Sequence, residues 1–184
     1  AYIAELREVC AHRFKCLTTT QVAGAGSNYW KESGASPEEA AFEDELRVLA
    51  RHAGFQLTRT CTPYLVGNAP LRGEACAWTE SSAVVYANSV LGARTTRHGM
   101  ESALAAALLG VTPAFGEMLD ENRRATLHIE VRARLASVAD FGALSYTVGK
   151  AVGNGVPWFS DLSAWLPPMR SDMTLCGRAG DRRA

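Results

Sequence analysis

The chain has no excess of charge of either sign: 19 lysines and arginines balance 19 acids. Non-specific binding to nucleic acid or another polyanion needs a basic excess, so that task is excluded as the main one. No apolar run is long enough to span a bilayer. No basic start leads into an apolar h-region, so no secretory signal is visible. There is also no Cys-x-x-Cys pair. The cysteines Cys10, Cys16, Cys61, Cys76 and Cys176 are odd in number and irregular in spacing, which speaks against a disulfide framework and for reduced thiols in a cytoplasmic setting. His12, His52, His98 and His128 are scattered and make no metal spacing, and His52 and His128 read as exposed. Any metal site is therefore assembled from distant parts of the chain or from residues outside it. Gly24 and Gly26 make no phosphate loop, because no Gly-Lys-Ser/Thr follows. No internal repeat and no low-complexity tract is present.

What is present favours a packed core. Hydrophobic residues make up 47% of the 184 and charged residues 21%, which suits one domain or a piece of a larger one. Ala1 opens the chain inside a helical pattern with no capping residue before it. The tail 171–184 is polar and carries Arg178, Arg182 and Arg183. Both ends read as cut, and a fragment is expected.

Apolar Ile3, Leu6, Val9 and Cys10 give helical spacing from Tyr2 to His12. Phe14 to Thr20 reads as a short strand, and 23–27 as a flexible loop. Ser36-Pro37-Glu38-Glu39 is a strong helix start, with a capping serine, a proline at the first helical position and a glutamate to close the box. Gly54 ends that helix. Phe55 to Thr62 alternates as a strand does, and 63–73 is a Gly/Pro loop. A helix is expected after Glu80 to about Gly92, another over Glu101–Leu109, a half-exposed strand over Leu127–Leu135, and a helix over Phe141–Val152. Alternating helices and strands point to α/β architecture.

The richest chemistry lies between Glu80 and Arg97. An acid and two hydroxyls, Glu80, Ser81 and Ser82, open an apolar helix, and Arg94 and Arg97 follow it. Ser81 or Ser82 is the expected N-cap, since a serine oxygen accepts from the first-turn N–H groups. A helix start offers donors and a positive dipole end to an anion. The arginines offer planar forks to a carboxylate or phosphate, or else simply face solvent. Asn88 falls inside the apolar helix, where its amide needs a polar network or a ligand. Cys61, in Thr60-Cys61-Thr62-Pro63-Tyr64, stands at a strand end leading into a loop, where α/β proteins place ligands. It reads either as a metal-binding thiolate or as a structural cysteine. Asp120-Glu121-Asn122-Arg123 reads as a solvated polar turn.

These segments together resemble the aconitase X family, in its large or catalytic part. The resemblance is carried by Thr18-Thr19-Thr20, by Cys61-Thr62-Pro63-Tyr64-Leu65 with Gly67 and Pro70, by Gly73-Glu74, Ala77-Trp78 and Glu80 through Arg97, and by 102–107 with Thr112-Pro113, Gly116 and Leu119 through Arg123. It implies a partial aconitase-like α/β catalytic domain over residues 1–170, followed by a divergent tail over 171–184. It implies a hydro-lyase that removes water from a hydroxylated carboxylic acid with an iron–sulfur cluster. The substrate it points to first is cis-3-hydroxy-L-proline, and the second is 5-phosphomevalonate. Cys61 is implied as one of three cysteine ligands, and Glu80 and Ser81 as substrate contacts. The region after Thr20 approaches substrate in the family, usually as Asn-Pro, where Gln21-Val22 stands here. The other two cluster cysteines are expected downstream of this chain. Cys176 does not fit the family pattern and Cys76 reads as structural. A small swivelling domain or subunit is the implied partner, and the chain alone is expected to be inactive. The rival reading is a non-catalytic α/β module that binds a small anion and never holds iron.

Overall fold

The computed structural model describes residues 2–21, 29–160 and 162. The chain divides into two compact units, one reaching Ala114 and the other starting at Phe115.

The first unit opens with α1 (Tyr2–Cys10). Helix α2 (Pro37–Ala53) starts where the capping box requires: Glu39 N donates to Ser36 Oγ at 3.2 Å, and Ser36 N donates to Glu39 Oε2 at 2.8 Å. It ends at Gly54, whose φ of 92° is left-handed backbone that a Cβ disfavours. An ion pair from Arg7 to Glu45 joins α1 and α2. Behind them Phe14 meets Phe55 edge-on, with ring centres 4.6 Å apart. Phe14 N donates to Ala53 O and Lys15 N to Ala107 O. The connecting segment is thereby held to the C-terminal ends of α2 and of α4 (Met100–Leu109). Small buried side chains, among them Ala53, Ala83, Ala87 and Ala93, let backbones approach closely.

The two strands expected in this unit do not form. Between Phe14–Thr20 and Phe55–Thr62 the strand-type pairing among the described residues is a single parallel bridge, Thr19 to Gln56. Local hydrogen bonds compete with a ladder: Thr18 Oγ1 bonds Cys16 O, and Thr58 N turns back to Gln56 O. Arg59, at φ 50°, then leaves extended backbone altogether.

In the second unit β1 (Leu127–Glu130) pairs in parallel with β2 (Pro157–Ser160), crossing over through α5 (Val138–Val152). The strand expected over Leu127–Leu135 is shorter, ending at Glu130, and further on Ala136 N and Ser137 N turn to Asp140 Oδ2. Ser137 and Asp140 form a second capping box, so α5 begins three residues before Phe141. At Gly155 a Cβ would collide with the Thr126 hydroxyl, whose oxygen accepts from Val156 N at 2.9 Å. The chain is thus a partial α/β structure, with fewer and shorter strands than its pattern suggests. Among the described residues no helix is long and apolar enough to cross a membrane.

Candidate functional site

Thr20 fastens the start of the Gln21 region to the segment that ends in Cys61. Its N–H donates to Gln56 O at 3.1 Å, and its carbonyl accepts from Thr58 Oγ1 at 3.0 Å and Thr60 N at 3.4 Å. Its hydroxyl accepts from Arg59 N at 3.2 Å. That last bond holds Arg59 in the left-handed region, which costs a bulky side chain about 1 kcal/mol or more. An ion pair to Glu43 at 3.7 Å fixes the Arg59 side chain as well. Gln21 emerges exposed from this knot, and Val22 lies outside the described residues.

Cys61 follows half-buried, between threonines whose hydroxyls meet at 3.0 Å. The next turn, Pro63–Leu65, is 3₁₀ and aims Tyr64 at α3 (Ser81–Tyr86). Tyr64 stacks on Tyr86 with ring centres 3.8 Å apart, and lies 6.4 Å from Trp78. Asn68 Nδ2 donates to Thr19 Oγ1 at 3.0 Å, closing the loop back toward Thr20. The Cys61 loop is thus joined at one end to the Gln21 region and at the other to the helix that Glu80 precedes.

The start of α3 differs from expectation. Glu80, not a serine, occupies the N-cap position, and no side-chain hydrogen bond caps the helix. Ser81 and Ser82 are already helical and exposed. The Ser81 hydroxyl donates to Glu80 Oε1 at 3.4 Å instead of accepting from the first turn. Glu80 is half-buried beside them.

The helix also does not continue regularly to Gly92. After Tyr86 it widens into a π turn, Ala87–Leu91, closed by Gly92 at φ 70°. Such widening recurs at functional sites. Here it coincides with the answer to what Asn88 does. Asn88 Nδ2 donates to Val84 O at 3.1 Å and Thr95 O at 2.7 Å, and Asn88 Oδ1 accepts from Thr95 N at 3.3 Å. A polar network, rather than a ligand, accounts for these contacts. Thr95 is fully buried, its hydroxyl donating to Thr96 O and accepting from Trp78 N.

This clamp sets the arginines. Residues 74–78 run parallel to 94–98, with bridges Ala75 to Arg94 and Trp78 to Arg97. Arg94 N donates to Glu74 O, Cys76 N to Arg94 O, and His98 N to Trp78 O. Arg94 is half-buried and Arg97 exposed, on backbone paired with the strand-like run that leads into Glu80. Burial pushes the Cys76 thiol up to about 11, against a smaller lowering by the Thr95 hydroxyl; Glu74 adds to the rise. That suits a structural role for Cys76.

One residue of this region gave no signal in the sequence beyond its type. His98 is buried, with Nδ1 3.3 Å from Ser102 Oγ and Nε2 3.3 Å from both Thr96 Oγ1 and Thr112 Oγ1. His98 precedes α4, whose first turn carries Ser102, so no helical spacing links Ser102 to His98. Burial lowers the His98 pKa below the usual imidazole range.

Asp120–Arg123 folds as a 3₁₀ turn of the second unit, with Asn122 Nδ2 on Gly116 O and Arg123 Nη1 on Glu117 O. Cys176 lies outside the described residues. Among the described residues no three His, Cys, Asp or Glu side chains come together as a metal site. They do not, by themselves, form the ligand set of an iron–sulfur cluster.

The chain therefore has the form of a partial α/β domain, and in its first unit a polar site is built from loops fastened to helix ends. The aconitase X first-domain model matches residues 1–121, and the chain belongs to the aconitase X family. It is 48% identical over 161 residues to the phosphomevalonate dehydratase large subunit of Methanothermobacter thermautotrophicus, covering 86% of this chain and 39% of that protein. It is 37% identical over 167 residues to the cis-3-hydroxy-L-proline dehydratase of Pseudomonas aeruginosa, covering 88% of this chain and 28% of that protein. The crystal structure of Thermococcus kodakaraensis aconitase X in its holo-form superposes with a TM-score of 0.71 at 43% identity, over 85% of this chain and 39% of that one. The chain thus spans roughly two fifths of the length of the large subunits it matches.

Proposed function

We propose that residues 1–170 are part of the catalytic domain of a hydro-lyase of the aconitase X type, acting on a hydroxylated carboxylic acid. The observation that carries this reading is connectivity. The Gln21 region, the Cys61 loop, the Glu80 helix start and the Arg94–Arg97 segment are tied in one unit by Thr20, by the Tyr64–Tyr86 stack and by the Asn88 clamp. Relatives named as dehydratases support the same reading.

Dehydration breaks a C–O bond and a neighbouring C–H bond and releases one water. Glu80 holds the leaving hydroxyl and gives it a proton, as a carboxyl group within hydrogen-bond reach can. Ser81, Ser82 and the uncapped first-turn N–H groups bind the anionic substrate. Arg94 and Arg97 engage its carboxylate or phosphate, and Gln21 and Val22 border it. A separate base, outside this assignment, takes the C–H proton. The family resemblance adds an iron–sulfur cluster, to which Cys61 would contribute one thiolate; among the described residues no three His, Cys, Asp or Glu side chains come together to complete such a set. When bound, such a group supplies a Lewis acid for the leaving oxygen. A small swivelling domain or subunit is the proposed partner.

Both substrate readings have named relatives. Identity is higher to the phosphomevalonate dehydratases, at 48% and 46%, than to the hydroxyproline enzymes, at 37% and 36%. Assay of the whole protein with its partner against phosphomevalonate and cis-3-hydroxy-L-proline distinguishes them, and turnover of neither removes the dehydratase reading. Cys61→Ser in the same protein is expected to lose iron and activity together. Unchanged iron content and turnover would sink the ligand assignment.

A further inference from the structure

We propose that His98 is a positioning residue: as a neutral imidazole protonated on Nδ1, it anchors the arginine-bearing segment 94–98 to α4 and to the Thr112 loop. The proton can be assigned by elimination. Ser102 has one hydroxyl proton, and it goes to Gly99 O at 3.0 Å. At its 3.3 Å contact with His98 Nδ1 the serine oxygen must therefore accept, which puts the imidazole proton on Nδ1. Nε2 is then a bare acceptor. It faces the hydroxyls of Thr96 and Thr112, each at 3.3 Å and each able to donate.

The consequence is mechanical. The His98 backbone N–H is bound to Trp78 O at 2.9 Å while its ring reaches Ser102 in the first turn of α4 and Thr112 beyond its end. Arg97 stands between Thr96 and His98, both fixed by this ring. Arg94 precedes Thr95, which Asn88 fixes from the other side. The segment is pinned at its two ends by two different side chains, and the guanidinium groups project from a backbone that cannot slide against residues 74–78. A substrate anion met by such a pair finds the charges already in place, which lowers the ordering cost of binding. That the segment meets an anionic substrate rests on the function proposed above; the anchoring does not.

The test uses the whole protein. Nitrogen-15 NMR of histidine is expected to show His98 with a protonated Nδ1 and a bare Nε2 at neutral pH. The opposite tautomer, or a ring protonated on both nitrogens, overturns the proposal. Amide hydrogen exchange at residues 94–98 is expected to quicken in His98→Ala. It is expected to return toward wild type in His98→Asn, whose amide N–H stands where Nδ1–H was. Unchanged exchange in His98→Ala overturns the anchor. If that variant fails to fold, the tautomer measured in the unaltered protein still decides. In the steady state, His98→Ala is expected to raise KM about tenfold, the loss of roughly one good hydrogen bond, with kcat little changed. A fall in kcat with KM unchanged overturns the positioning role. An anchored segment in a protein that turns over neither phosphomevalonate nor cis-3-hydroxy-L-proline supports the anchor and removes the dehydratase reading instead.

Discussion

The ring of Tyr64 lies 3.8 Å from that of Tyr86 and within 7° of parallel to it. The first ring belongs to the turn that follows Cys61, the second to the helix that Glu80 precedes. Stacking thereby joins Tyr64 and Tyr86 across two separate stretches of sequence. An aromatic pair contributes about 0.5–1.5 kcal/mol beyond the area it buries. Tyr86→Ala is expected to destabilise the first unit by roughly 2 kcal/mol. Tyr86→Phe keeps the ring and is expected to stay within about 0.5 kcal/mol of wild type. Urea unfolding of the two variants checks this, and equal losses would mean that the hydroxyl, not the stack, carries the contribution.

The Asn88 clamp gives a second expectation. Thr95 is fully buried, and its backbone N–H and C=O both depend on the Asn88 amide. Asn88→Ala strands both groups, at a cost of about 2–4 kcal/mol. Asn88→Asp keeps the acceptor for Thr95 N but turns a carboxylate oxygen toward the carbonyls of Val84 and Thr95. It is expected to be at least as damaging as alanine, although it is the smaller change in shape. Thermal melts of the pair decide the order.

How much of this was legible in the sequence varies by element. The α2 capping box and the Gly54 stop are legible in the sequence, because those signals act within a turn of backbone and need no tertiary partner. The equivalent box at Ser137 and Asp140 and the strand β2 at Pro157–Ser160 are not among the elements the pattern predicts. The strands expected before Gln21 and Cys61 failed for a physical reason: threonines satisfy β-propensity and, equally well, turn their hydroxyls onto nearby backbone. At α3 the expectation of a serine cap missed by one residue, because Ser81 bonds Glu80 rather than the first turn. For the site, single-residue chemistry nominated Cys61, Glu80 and the arginines. The links among them, Thr20, the Tyr64–Tyr86 stack and His98, depend on contacts between distant residues that spacing does not encode.

Acid pH is expected to weaken the fold in two stages. His98 has a folded pKa below its ordinary 6.5, because burial penalises the charged ring. The unfolded chain then binds more protons in that window, so stability is complete above 6.5 and falls as pH drops toward the folded value. The groups nearest the ring are the Thr96, Ser102 and Thr112 hydroxyls, with Arg97 beside it in sequence and Glu101 at the start of α4. Glu39 and Asp140 are lowered by the hydrogen bonds of their capping boxes, from ordinary values of 4.5 and 3.8. Their contribution is present above those values and is lost as pH falls through the folded ones. Chemical unfolding measured from pH 8 to pH 3 is expected to show the first loss beginning near 6.5. In His98→Asn that first loss is expected to disappear while the carboxylate stage remains. An unchanged profile in the variant would remove His98 as its source.

Thiol reactivity separates the cysteines by environment. The thiolate is the nucleophile, so a raised pKa slows alkylation. Cys76 is pushed from 9.0 to about 11, chiefly by burial, with its hydroxyl partner Thr95 only partly offsetting that. At pH 8 its thiolate fraction is about a hundredfold below that of an unperturbed thiol. Cys16 is exposed, whereas Cys10 is buried and its pKa is also raised by desolvation. Brief treatment with iodoacetamide, read by peptide mass spectrometry, is expected to label Cys16 well before Cys10 and Cys76. Thr95→Val removes the one contact that lowers the Cys76 pKa and is expected to slow its labelling further wherever the fold is retained. Faster labelling of Cys76 in a folded Thr95→Val protein would mean that access through the clamp, not thiolate content, sets its rate.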